Sequence, residues 1–442
     1  MALEICTVGG YNEVGKNMTA LKIDDEVILI DMGIFLPALI DYEGEDYRHL
    51  SSDQLIHLGA IPNDHVIHDW KKDVKAILIG HCHLDHLAAV PYLAAKYRAP
   101  IVGTPFTIEV LKTLLKDEST RLPNKLRAIN PNSSLKVSDN ISVEMINVTH
   151  STLQATMIAV HTKYGVILYA NDFKFDNHPV VGDKPNYKML KDIGKKGVLC
   201  LIVESLYSTR DMKTPSEKVA RELLKDVMLG VDNEGHAIFV TTFASHLARI
   251  KSIIEFSKKL NRKIVFLGRS MAKYIKSAEN VKIINYSKEG KIFAYRSQAE
   301  KALKHVEKNR GEYVVVCTGS QGEPSSILDK IVNGQLRFKF KEGDHVIFSC
   351  KTIPAELNIA NREILESKLR MNKVRIFKDI HVSGHASRED LRDFIDMVKP
   401  RHIIPAHGED FMKEALSKLC EEIGYKIGES VHIMNDGERL KI

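Results

Sequence analysis

Between positions 81 and 86 the chain reads His-Cys-His-Leu-Asp-His, directly after the apolar run KAILIG at 75–80. A buried strand that ends in three imidazoles and a carboxylate restricts the fold more than any other feature. On a tight loop, alternate side chains converge on one point while the strand behind them stays in a core. His81 and His83 then reach one metal ion, and Asp85 and His86 a second. Imidazole and carboxylate are the ligands of hydrolytic zinc sites. Cys82 and Leu84 point away into packing.

A metal pair needs further ligands, and three more apolar runs end in them. His150 closes ISVEMINVTH, Asp172 follows GVILYAN, and His407 follows HIIPA. Each lies where a strand ends, so their loops line a common edge. The residues sort into two sites: His81, His83 and His150 in one, and Asp85, His86 and His407 in the other. Asp172 is placed to bridge both. Asp31, at the end of VILID, is expected behind them, orienting ligand imidazoles.

Around this constellation the chain has 442 residues, enough for two to four domains, and 44% of them are hydrophobic. Residues 1 to about 205 are rich in strand patterns with helices interleaved. The rhythm then changes: SEKVARELLKDVMLG, with Ser216 as N-cap, and SHLARIKSIIEFSKKL have helical spacing between strand runs such as AIFVTTF and YVVVCTG. That alternation predicts a parallel α/β sheet. Histidines return to strand ends after about 371. The expected organisation is therefore one domain over 1–209 and 371–442, interrupted by a second over 210–370.

Composition excludes several classes. Six scattered cysteines with no CxxC pair exclude a disulfide scaffold and a zinc finger. The N-terminus lacks a basic start followed by an apolar stretch, and no apolar run is long enough for a bilayer. The expectation is a soluble, cytoplasmic protein. A net charge of +6 is spread along the chain and says little about nucleic acid. Arg249, Lys251 and Arg269 could follow a phosphate backbone, although an ordinary solvated helix face explains them equally well.

Asp31, HCHLDH, His150, Asp172 and His407 together resemble the metallo-β-lactamase superfamily. LIVES, with Glu204, and HVSGHAS, with His385, resemble its β-CASP branch of nucleases. GGYNEVGKNM (9–18), NDFKFD (171–176), TTFAS (241–245), TGSQGEP (318–324), HVSGHA (381–386) and PAHGE (405–409) resemble the ribonuclease J family, in order and over essentially the whole chain. Bacterial members usually continue into a further domain. This chain stops soon after His407 and so is similar to the short, archaeal-type form. Three segments depart from the family pattern: SCKTIPAELN (349–358), His246 after TFAS, and HSTLQA (150–155). They touch the substrate side rather than the metals.

The resemblance implies an α/β fold: an αββα metallo-β-lactamase sandwich with an inserted α/β β-CASP domain and the site in the cleft between them. It implies two zinc ions per chain, with manganese or magnesium able to replace them, and a bridging hydroxide. Bound zinc lowers the pKa of water to about 7. The implied activity is processive 5′-to-3′ hydrolysis of single-stranded RNA, from 5′-monophosphate ends, releasing 5′-mononucleotides. His385 is then the general acid, Glu204 holds or charges it, and Asp85 joins the catalytic set. Ser245, His381, Ser383, Gly384 and His385 are the expected contacts to RNA and its 5′-phosphate. A homodimer is expected from the family.

Other functions remain open at this stage. An endoribonuclease would cut circular RNA, which an exonuclease would not. A DNA repair nuclease of the same branch differs only in substrate. A silent RNA-binding subunit is disfavoured by the complete ligand set, and a lactonase or thioesterase by the insertion and the His385 motif. TGSQGEP lacks the lysine spacing of a nucleotide-binding P-loop.

Overall fold

The structure is a computed structural model that describes residues 3–40, 42, 46–353 and 356–442. Pro354 and Ala355, within SCKTIPAELN, lie outside the described residues. The chain forms two units. The first comprises Met1–Asn177, Asp183–Thr214 and Gly384–Ile442, and the second His178–Gly182 and Pro215–Ser383.

Two sheets build the first unit. One orders its strands Arg439–Lys441, Leu3–Gly9, Met18–Ile23, Glu26–Ile30, Val74–Leu78, Ile101–Gly103 and Leu126–Ala128. The other runs His402–Ala406, Val198–Glu204, Gly165–Ala170, Thr156–Thr162, Ser142–Asn147 and Ser133–Lys136. Ile28, Ile30 and Leu78 of the first sheet and Ile158, Val160 and Tyr169 of the second share one buried cluster. The outer face of the second sheet, with Leu168 and Val203, packs on helices through Leu190, Phe394 and Leu416. Apolar residues on both faces of a strand are what covered sheets require, which is why these strands read as near-continuous hydrophobic runs. The Met18–Ile23 and Glu26–Ile30 hairpin turns at Asp24, which takes a left-handed φ of 53°, as tight two-residue turns demand.

The second unit holds an all-parallel sheet in the order Gly290–Phe293, Lys263–Leu267, Tyr313–Cys317, Ile238–Thr241, His345–Phe348 and Arg375–Phe377, with helices between. The Ser216 side chain accepts from Lys218 N and caps the helix Glu217–Leu229.

The chain passes between the units at 177/178, 182/183, 214/215 and 383/384, where the sequence pattern placed the boundaries near 209/210 and 370/371. Strand Arg375–Phe377 pairs with His345–Phe348, which draws the chain after 371 into the second sheet. After the short helix Leu84–Leu87, the chain forms a second short helix, Val90–Leu93, and a 3-10 turn at Ala94–Lys96. Pro91 has no N–H to donate, so it stands in the first turn of a new helix rather than inside a longer one.

Candidate metal centre

Most side chains of the candidate centre follow the end of a strand in the first unit. His81 and His83 follow Val74–Leu78, His150 follows Ser142–Asn147, and Asp172 follows Gly165–Ala170. His407 follows His402–Ala406, which pairs in parallel with Val198–Glu204 so that Ala406 lies opposite Glu204. Asp85 and His86 occupy the first turn of the short helix Leu84–Leu87. Asp31, Asp172 and His407 all take positive φ, at 61°, 58° and 50°. Such backbone is uncommon outside glycine and tends to collect where side chains must be aimed.

Two four-residue donor groups result, beside a third of Asp172, Glu204 and His385. His81, His83, His150 and Asp172 bring one atom each within 4.8 Å of one another, and so do Asp85, His86, Asp172 and His407. Asp172 belongs to both. In detail, His83 Nδ1 lies 3.1 Å from His81 Nε2 and 3.1 Å from His150 Nε2. Asp172 Oδ2 lies 3.3 Å from the Nε2 atoms of both His81 and His86, and Oδ1 3.3 Å from His407 Nε2. Ligands held tetrahedrally at zinc distances stand about 3.3 Å apart. Asp172 Oδ1 is buried without a hydrogen-bond donor among the described residues, an arrangement a cation relieves. The residues present fit a divalent metal pair.

Electrostatics point the same way. Burial, reinforced by His81, pushes His83 down to about 3 and burial takes His150 well below its usual value, so both rings are neutral and offer lone pairs. Burial also opposes charge on His86, but Asp172, Asp85 and Asp31 outweigh it and raise that ring well above the ordinary range. The acidic half therefore holds a proton that a bound cation would displace.

Outer partners set the imidazoles. His86 Nδ1 lies 2.7 Å from Asp31 Oδ2, and Asp31 also accepts from Gly80 N and Tyr169 OH. His150 Nδ1 donates to Gly384 O at 2.8 Å, and His407 Nδ1 to Asn17 Oδ1 at 2.9 Å. A Cβ on Gly384 would sit 2.8 Å from that His150 nitrogen, so the glycine answers to space at this contact. Asn17 was not singled out from sequence, although it lies inside GGYNEVGKNM. Cys82 is buried against Thr152 Oγ1, as expected of a packing residue.

His385 stands beside the cluster. Its Nδ1 lies 2.6 Å from Glu204 Oε2 and 4.0 Å from Asp172. Glu204 is wholly buried, and its other oxygen accepts from Phe173 N and Ala386 N. Burial disfavours a charged His385, yet Glu204 and Asp172 prevail and raise it to about 10.

Ser245, His381 and Ser383 lie in the second unit, and Gly384 and His385 in the first. Arg249 is not a surface cation. It is fully buried, grips both Glu217 oxygens and donates to Ser349 and to Ile380 O. Lys251 is exposed and donates to Val180 O, and Arg269 is exposed. In TGSQGEP the N–H groups of Gly319 and Gln321 donate to Glu323, so the loop supplies its own anion.

Residues 11–228 match the metallo-beta-lactamase superfamily, 235–366 the ribonuclease J beta-CASP domain, and 373–433 the Zn-dependent metallo-hydrolase RNA specificity domain. The chain is 45% identical over 442 residues to Ribonuclease J of Methanocaldococcus jannaschii, covering all of this chain and 99% of the relative. It is 43% identical to Ribonuclease J of Pyrococcus abyssi, covering all of this chain and 97% of that one. A solved protein of unknown function from Enterococcus faecalis shares the fold, with a TM-score of 0.67 over 99% of both chains at 17% identity.

Proposed function

The chain belongs to the ribonuclease J family, and on that premise we propose that it hydrolyses RNA phosphodiesters with divalent metal ions held by His81, His83, Asp85, His86, His150, Asp172 and His407. The observation that carries this reading is the convergence of two donor groups on Asp172 beside a charged His385. Metal ions bound there, two zinc ions with manganese or magnesium as substitutes, would supply Lewis acidity toward the phosphodiester and lower the pKa of a water that serves as nucleophile.

The chain's own residues do the rest. His385, charged by Glu204, donates a proton from Nε2 to the departing 3′ oxygen. Asp85, partly exposed among the ligands, shares in orienting the attacking water. Ser245, His381 and Ser383 contact RNA phosphates, together with Gly384 and His385. The preferred substrate is single-stranded RNA with a 5′-monophosphate, shortened processively from that end into 5′-mononucleotides. No helix among the described residues is long and apolar enough to cross a membrane, and action in the cytoplasm is part of the same proposal. So is a homodimer: Leu357, Ile364 and Met371 recur every seven residues, exposed, along the helix Glu356–Met371.

One assay tests the reading. A single RNA is offered with 5′-monophosphate, 5′-triphosphate, 5′-hydroxyl and circular ends, beside matching DNA, with zinc or manganese. Mononucleotides from linear RNA alone, fastest from the monophosphate, support it. Fragments from the circle would replace it with an endonuclease, and equal cleavage of DNA with a repair nuclease.

A further inference from the structure

The mechanism above leaves one feature beside His385 unused. Strand Val198–Glu204 ends at Glu204, and the next six residues, SLYSTR, form a turn beside His385. The Tyr207 ring meets the His385 ring edge to face, with centroids 5.8 Å apart at 90°. On Tyr207 lies Arg210, its guanidinium carbon 3.5 Å from the ring centroid. Both side chains are half-buried.

Arg210 has no carboxylate partner among the described residues. The adjacent Asp211 pairs with Arg388 instead. A cation kept on an aromatic face, with no protein anion assigned to it, is poised for an anion from outside. The turn beneath it is fixed. Ser205 bonds Ala406 O through both N and Oγ, Ser208 Oγ donates to Met412 O, Arg210 N to Tyr207 O, and Arg388 N to Arg210 O. Tyr207 bridges in parallel to Ser387, two residues from His385. The stack is thus set by the same backbone that sets the proton donor, and little order remains to be imposed when a ligand binds.

We propose that Tyr207 and Arg210 form a stacked platform that binds the RNA phosphate next to the scissile one. The planar guanidinium supplies paired N–H donors to that phosphate, and Tyr207 keeps the guanidinium in plane while bracing the edge of His385. The proposal rests on the ribonuclease reading. It makes Arg210 a substrate-binding residue and Tyr207 a positioning residue, and it predicts a substrate that carries at least two phosphates.

The test compares RNA with bis(p-nitrophenyl) phosphate, a phosphodiester with no second phosphate. For Arg210→Ala the KM for RNA is expected to rise about tenfold or more. The slope of log KM against log salt should become shallower by about 0.7, the loss of one contact to a single strand. Hydrolysis of bis(p-nitrophenyl) phosphate should stay within about twofold of the parent, with metal content unchanged. Arg210→Lys should rescue RNA binding only in part, because an ammonium cannot lie flat on the ring. Tyr207→Phe should match the parent, whereas Tyr207→Leu should lose RNA affinity and kcat together.

An unchanged KM and salt slope in Arg210→Ala would overturn the platform. So would an equal loss on both substrates, which would mean that Arg210 only steadies His385. Parent protein that hydrolyses bis(p-nitrophenyl) phosphate but leaves every RNA intact would overturn the ribonuclease reading, and the platform with it.

Discussion

His385 Nδ1 and the Glu204 carboxylate lie 2.6 Å apart, and Glu204 is wholly buried. A carboxylate can only accept, so Nδ1 carries the proton. Phe173 N and Ala386 N fix the other carboxylate oxygen, so the acid cannot swing away from the ring. The pair is a charged imidazole aimed at the donor cluster from a rigid support.

The first prediction concerns this pair. Glu204 and Asp172 raise His385 to about 10 against the opposition of burial. Neutralising Glu204 removes the larger of those two supports, so the ring loses its proton at lower pH. Glu204→Gln is expected to shift the alkaline limb of the kcat profile downward. His385→Ala should lose about 10²–10⁴ in kcat while metal content holds. Parent kcat in His385→Ala would remove the general-acid role.

The second concerns the ligands. His83 contacts both His81 and His150 at 3.1 Å, so its removal opens one whole donor group. His83→Ala should lose bound metal and activity together, as measured by elemental analysis and an RNA cleavage assay. Full metal content in the variant would show that the first donor group is not a metal site.

The third concerns Asp31, which accepts from His86, Gly80 N and Tyr169 OH while fully buried. Asp31→Asn keeps the volume but loses the charge and one acceptor. Metal affinity is expected to fall about 10–100-fold, read by chelator competition. Parent affinity would mean that His86 is oriented without Asp31.

Much of this centre was legible because its chemistry sits in short, spaced patterns. HCHLDH places four donors on one loop, and His150, Asp172 and His407 each follow an apolar run that had to be a strand. What was hidden depends on long-range packing. Arg249 occupies a helix position where sequence cannot tell a solvated cation from one that closes on Glu217, 32 residues away. Arg375–Phe377 is only three residues long, and its pairing with His345–Phe348 decides where the second unit ends. Tyr207 and Arg210 carry no pattern at all, because their meaning comes from the turn that brings them to His385.

The fourth prediction is a stability effect. His345 is fully buried in the second unit, and neither ring nitrogen has a hydrogen-bond partner among the described residues. Burial, then Arg375, His236 and Arg262, push it down to about 4. The unfolded chain takes up this proton near its ordinary value of 6.5, and the folded chain refuses it until about 4. Its stabilising contribution is therefore complete above 6.5 and declines as the pH falls toward 4. His345→Leu should hold its Tm at about pH 7.5 and lose less Tm than the parent at about pH 5. An identical acid loss in both would place the sensitivity elsewhere.

The fifth concerns Arg249, which binds Glu217 through Nε at 2.6 Å and Nη2 at 3.0 Å and reaches Ile380 O at 2.7 Å through Nη1. Arg249→Ala takes the guanidinium from a buried carboxylate and should cost about 3–5 kcal/mol in urea unfolding. Burial opposes charge on Glu217, but Arg249 and His246 hold it well below the usual carboxylate range. The pair's stabilisation is thus present above the ordinary value of 4.5 and is lost as the pH falls through the lower folded value. In Arg249→Ala this acid dependence should vanish or reverse. Arg249→Met with Glu217→Leu should be more stable than Arg249→Ala, since no charge is left alone. The double variant still lacks the bond to Ile380 O, and Ile380 precedes His381 in the chain. It should therefore fold and yet show a raised KM for 5′-monophosphate RNA. A parent KM in a stable double variant would separate the buried clamp from phosphate recognition.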